Sequence, residues 1–278
     1  MAAFEIPAKA EAIDEKPSRR RTKPLRYHHC QCMRSHYISQ PHPHLGIDEI
    51  VAAEAYAALR FPDELTAAGA AWGITASDAQ YDVVLRDPGW RTLHDELCSE
   101  AFVRSVLRSF SADMKREGCL VDAESARIVP FLETREDKER PTLDPDAPPN
   151  DVFIRVDFQS KGAGGYRDFV HLDWARRIVG GILFFSDTEE EGLEGGELAF
   201  YRDRDFRNDR WCHDPELAAL VPPKRNSGVI FLNHNGAFHG PRPITRLAGR
   251  RRWLYYSISS RADVWPHAAR ADEASSDR

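Results

Sequence analysis

Hydrophobic and polar positions repeat in two ways along the chain. From Ile47 to about Gly118, apolar residues recur at three- and four-residue spacing, the repeat of a helix resting on a core. "GIDEIVAAEAYAALRFP" is Ala-rich and stops before Pro62, and "DPGWRTLHDELCSEAFVRSVLRSFSADMKREG" predicts one or two amphipathic helices ending near Gly118. Trp90, Leu93, Leu97, Phe102, Val106, Leu107 and Phe110 form the expected buried stripe. "TREDKERPTLDPDAPPND" is polar and Pro-rich and reads as a linker or flexible loop. After it the repeat shortens to two. "DVFIRVDF" alternates, "RIVGGILFFS" is continuously apolar, and "GELAFY", "SGVIFLN" and "RRWLYYSIS" follow between Gly, Pro and Asp turns. Several short strands so punctuated predict a sandwich or barrel.

The stretch before these elements has neither repeat. "KPSRRRTKPLR" is basic and Pro-containing, and residues 1–40 are expected to be a flexible segment outside the core. "YHHCQCMRSHYISQPHPH" holds five of the eleven histidines and two cysteines, but Cys30-Gln31-Cys32 lacks the two-residue gap of common zinc knuckles. Residues 41–278 read as one domain, with helical support at about 47–120 and a β core at about 150–262.

Composition narrows the function. A hydrophobic content of 42% with 29% charged residues is that of a soluble globular protein. A net charge of -6 argues against a nucleic-acid binder, which needs a basic face. No apolar run reaches the roughly 20 residues that span a bilayer, and the acidic first residues do not resemble a secretory signal. Five scattered cysteines suit a reducing cytoplasm, with Cys98, Cys119 and Cys212 as packing residues.

One chemical pattern stands out. In "FVHLDWARRIVGGILFF", His171 and Asp173 lie two apart at the mouth of an apolar strand, so their side chains point the same way. Among the remaining histidines His239, in "GVIFLNHNGAFHGPRPI", is best placed to face them from another strand. Two imidazoles and one carboxylate on one face of a metal leave open positions, the arrangement of non-haem Fe(II) oxygenases. "GRRRWLYYSIS" then offers cations for an organic acid, since Arg grips a carboxylate bidentately and stays charged. Alternation places Arg251, Trp253, Tyr255 and Ser257 on one face, and Arg250, Arg252, Leu254 and Tyr256 on the other.

The ordered set "HLD", "EGGELAFY", "SGVIFLNHNGAFHG" and "GRRRWLYYSIS" resembles the Fe(II)- and 2-oxoglutarate-dependent dioxygenases, nearest to prolyl-hydroxylase-like and bacterial small-molecule hydroxylases. The resemblance covers roughly residues 150–262. It implies a mainly β fold, a double-stranded β-helix or jelly-roll with supporting helices. It implies His171, Asp173 and His239 as ligands of Fe(II), 2-oxoglutarate and O2 as co-substrates, and hydroxylation of a small-molecule or peptidyl substrate. The family's Gly-x-Arg pattern after Gly249 points to Arg251 as the 2-oxoglutarate anchor, with Arg250 as the alternative. Two rivals use the same residues: a zinc hydrolase, and a non-catalytic jelly-roll binding protein.

Other polar residues have plainer readings. His234 is expected in a loop behind the ligands, and His213 is expected to be solvated in a lid loop within residues 201–220. "DTEEEGLEGGE" reads as a solvated acidic turn whose glycines serve the backbone. Trp174 suits packing or substrate contact equally. Arg176 and Arg177 would either meet an acidic substrate or guard a strand edge.

Overall fold

The computed structural model describes residues 33–68, 73–162, 169–207, 209–246 and 249–265. In chain order the elements are β1 (Arg34–Ile38), β2 (His44–Glu49), α1 (Ala53–Ala58), α2 (Asp63–Ala68), α3 (Ala79–Val84), α4 (Pro88–Leu97) and α5 (Glu100–Arg116). There follow β3 (Arg127–Ile128), β4 (Asp151–Lys161), β5 (Arg177–Phe184), β6 (Glu194–Gly195), β7 (Leu198–Asp203) and β8 (Pro215–Val221). The last are β9 (Ser227–Leu232), β10 (His239–Pro241), β11 (Ile244–Arg246) and β12 (Arg251–Ser260). No described helix is long and apolar enough to cross a membrane.

The two long helices start where their sequence says they should. Asp87 caps α4 by accepting from Trp90 N at 3.0 Å, with Pro88 in the first turn. Ser99 caps α5 by accepting from Phe102 N, and Gly118, in the left-handed region at φ 77°, follows the end of α5. All seven residues of the expected stripe are buried.

The strands form a seven-stranded mixed sheet in the order β1-β2-β9-β5-β12-β4-β3, a three-stranded sheet β10-β7-β8 and the pair β11-β6. Among the described strands, only β3 and β4 run parallel. The large sheet uses its two faces differently. Val156 and Phe158 of β4, Leu254 and Tyr256 of β12, and Val179 of β5 share one apolar core with the helices. On the opposite face, Val229 and Phe231 pack against Leu198 and Phe200 of the smaller sheet. Gly180 permits that contact, since a Cβ there would lie 2.8 Å from the Phe231 ring. Across β4 and β12 this inner face turns polar, carrying Arg155, Asp157, Gln159, Arg251, Tyr255 and Ser257 in register. The inner face is thus apolar at one end and polar at the other.

Three expectations change. Residues 33–38 are not outside the core: β1 pairs with β2, and Tyr37 donates to Asp113 Oδ2 of α5 at 2.8 Å. Residues 1–32, with His28, His29, Cys30 and Cys32, lie outside the described residues. Helical structure begins at Ala53 rather than Ile47, because His44–Glu49 is a strand whose residues 44–47 pair with β9. Within the expected lid, Pro215–Val221 is a strand paired with β7.

Candidate metal centre

His171, Asp173 and His239 converge. Their potential ligand atoms lie within 4.8 Å of one another, the one such group among the described residues. Backbone pairing brings them together: His171 N donates to His239 O, and His239 N to His171 O, each at 3.0 Å. This antiparallel bridge sets the two rings side by side, centroids 4.8 Å apart and planes tilted by 44°, while Asp173 follows His171 on the same side.

The rings are oriented for ligation. Nδ1 of His239 lies 2.9 Å from Ala237 O, and Nδ1 of His171 lies 3.3 Å from Phe169 O. A carbonyl can only accept, so each Nδ1 donates, and in a neutral ring that leaves the lone pair on Nε2. The Nε2 atoms sit 3.8 Å and 3.9 Å from the two carboxylate oxygens of Asp173. Burial, helped by neighbouring His171, pushes His239 down to about 4, so its imidazole is neutral at neutral pH. Burial alone would raise the Asp173 carboxyl. Arg177 and then the two histidines overcome that and hold it well below the usual carboxylate range. The donor set and its hydrogen bonding fit a divalent transition metal with positions left open.

Residues that pattern reading assigned elsewhere support this centre. Arg177 Nη1 is 3.4 Å from Asp173 Oδ1 and donates to the Tyr255 hydroxyl, which in turn reaches Asp173 Oδ2 at 3.5 Å. Arg176 and Arg177 are not edge charges, being 0% and 5% exposed. Their counterion is Glu133, 2.8 Å from Arg176 and 3.7 Å from Arg177, which also binds Arg155 at 2.8 Å. Arg155 and Lys138 in turn hold buried Asp157. The expected flexible linker is thus an ordered belt: Arg176 donates to the Arg140 and Asp137 carbonyls, and Trp174 Nε1 to Lys138 O at 2.7 Å. That bond, with Arg210 stacked 3.7 Å over the indole, ties half-buried Trp174 to the belt and to the segment that carries Arg210.

The two candidate arginines part company. Arg251 is 2% exposed on the inner face, its guanidinium 4.3 Å from the Trp253 ring and 5.3 Å from Phe184. Gly196, at φ +75°, leaves room for it, since a Cβ there would lie 2.9 Å from Arg251 Cδ. Arg250 instead bonds Ser160, through Oγ at 2.9 Å and O at 3.1 Å. His234 is buried beside His42, ring centroids 5.4 Å apart. His213 is paired with Asp209 at the surface. The acidic turn is less solvated than expected, because Glu191 receives Arg225 and Arg252.

No family model and no curated protein matches the chain. Among solved structures it is similar to a prolyl 4-hydroxylase from Phytophthora capsici, at 15% identity and TM-score 0.37, over 67% of this chain and 47% of that one. It is similar to a 2OG-Fe(II) oxygenase family oxidoreductase from Burkholderia pseudomallei, at 16% identity and TM-score 0.34, over 66% of this chain and 61% of that one. A Pseudomonas putida prolyl-4-hydroxylase matches at 21% identity and TM-score 0.27, over 38% of this chain and 50% of that one. The chain therefore spans about half to three fifths of the length of these proteins.

Proposed function

We propose that the chain is an Fe(II)- and 2-oxoglutarate-dependent oxygenase, a hydroxylase built on a double-stranded β-helix. The observation that carries the reading is the His171–Asp173–His239 cluster, with both Nδ1 protons tied to backbone carbonyls and both Nε2 atoms facing one carboxylate. His171, Asp173 and His239 would hold the iron. Arg251, turned inward where Arg250 is turned away, would hold the far carboxylate of 2-oxoglutarate. Iron, O2 and 2-oxoglutarate together supply the oxidising chemistry, converting a substrate C–H to C–OH with release of succinate and CO2.

The protein's own part is position and charge. Arg177 and Tyr255 each contact one oxygen of the Asp173 carboxylate and would steady it as a ligand. The buried ionic belt around Glu133 keeps Arg177 in place. The substrate is a small molecule or a peptidyl side chain. The test is succinate formation from 2-oxoglutarate by chelator-stripped protein. Fe(II) should restore it and Zn(II) should not. Full activity of zinc-loaded, iron-free protein on a hydrolysable substrate would favour the hydrolase instead.

A further inference from the structure

The face that carries the candidate ligands does not end at His171. Three chain segments lie side by side there. His239 bridges His171 on one side and Trp211 bridges it on the other. Leu172 N donates to Arg210 O at 2.8 Å and Cys212 N to Val170 O at 3.3 Å, which fixes the register of the outer segment. Directly opposed residues of an antiparallel pair project to the same face, as do residues two apart on one strand. Trp211 and Phe169 therefore stand on the ligand side of His171. The Phe169 ring is 4.7 Å from the His171 ring and 5.0 Å from the Trp211 indole, which it meets at 76°.

Both aromatics are exposed, Phe169 at 45% and Trp211 at 42%. Single exposed apolar residues are ordinary, but two exposed aromatics in contact beside a polar site form a contiguous patch of the kind that marks a contact surface. They are held by backbone pairing to the ligand strand itself, so a molecule resting on them is placed relative to the metal position without a folding cost. Two rings near a right angle form a corner. A third flat ring can stack on one wall while meeting the other edge-to-face, the two geometries aromatic pairs favour.

We propose that Phe169 and Trp211 are the substrate platform of this centre, and that the substrate presents an aromatic ring to them. The inference rests on the oxygenase reading for its metal, but the ring-binding corner is a property of the protein surface. The ring belongs either to a free aromatic compound or to an aromatic side chain in a peptide, and the test separates these sources.

The probes are phenylalanine amide, cyclohexylalanine amide and the pentapeptide Gly-Gly-Phe-Gly-Gly. Binding is read by saturation-transfer NMR on the full chain, with Zn(II) in place of Fe(II) and 2-oxoglutarate present. The flat phenyl probe should bind about threefold to tenfold more tightly than its saturated analogue, the range aromatic pairing supplies. Trp211→Ala and Phe169→Ala should each remove that preference, and Trp211→Phe should restore part of it. Leu217→Ala, an exposed leucine on β8, serves as the control and should leave binding unchanged. Tighter binding of the free amide indicates a small-molecule substrate, and tighter binding of the pentapeptide a peptidyl one. Equal binding of flat and saturated rings, undiminished binding to Trp211→Ala, or no binding of any probe up to about 10 mM, well above ordinary substrate affinities, overturns the platform. Loss of Fe(II) and 2-oxoglutarate binding by the wild-type protein is a separate result and overturns the oxygenase reading alone.

Discussion

Glu133→Gln removes one negative charge from a position where three guanidiniums meet. Glu133 is 4% exposed and faces Arg155, Arg176 and Arg177. Glutamine keeps the size but leaves buried cations short of a counterion, and breaking a buried pair in this way costs about 3–5 kcal/mol. Linkage gives a second route to the magnitude. Burial would raise the Glu133 carboxyl, yet Arg177, Arg155 and Arg176 together bring it from 4.5 to about 2. At about 1.4 kcal/mol per pK unit, that shift corresponds to roughly 3 kcal/mol. A group whose value is lower in the folded protein contributes fully above its unfolded value and loses the contribution as pH falls through the folded one. The wild-type protein should therefore exceed Glu133→Gln by roughly 3 kcal/mol at pH 7, a Tm difference of about 6–12 °C. The gap should hold above pH 5 and shrink as pH falls towards 2. Urea denaturation of both proteins across that range measures it. A difference below about 1 kcal/mol at neutral pH, the scale of an exposed ion pair, would refute the reasoning, as would a gap that does not narrow in acid.

The remaining predictions concern the centre directly. Arg251→Gln should raise the 2-oxoglutarate KM roughly a hundredfold, from about 3 kcal/mol of lost charge-assisted contact. Arg251→Lys should lie between, and Arg250→Gln should leave KM nearly unchanged. Steady-state kinetics in which Arg250→Gln alone damages co-substrate binding would place the anchor one residue earlier. Asp173→Ala should cut succinate formation by orders of magnitude. It should also lower Tm, because buried Arg177 loses one of its two carboxylate partners, the one at 3.4 Å. Unchanged turnover would assign the carboxylate ligand elsewhere.

Which features could be read from the sequence follows from where their partners lie. The stripe from Trp90 to Phe110 is a local repeat, and it is buried as the spacing predicts. His171 and Asp173 announce themselves by a two-residue spacing, whereas alternation only separates Arg251 from Arg250, and the choice between them comes from the family pattern rather than from the strand itself. Arg176 and Arg177 carried no such signal. Their burial depends on Glu133, more than 40 residues earlier at the edge of a Pro-rich stretch that composition marks as flexible. The strands β1 and β2 were hidden for another reason. Their outward and inward positions include His36, His44 and Asp48, so the apolar alternation is weak, and pairing with β9 supplies the order. Trp211 lies in an Asp- and Arg-rich turn, and only its bridge to His171 relates it to the centre.

The most direct test of the proposed centre is an anaerobic titration of the protein with Fe(II) and then 2-oxoglutarate, followed by visible absorption. One Fe(II) should bind per chain, and 2-oxoglutarate should then produce a weak metal-to-ligand charge-transfer band, absent in Asp173→Ala and shifted to higher 2-oxoglutarate concentration in Arg251→Gln. Fe(II) binding that survives loss of Asp173 unchanged, or a bound iron whose spectrum 2-oxoglutarate does not alter, would contradict the assignment of His171, Asp173 and His239 as the centre of a 2-oxoglutarate-dependent oxygenase.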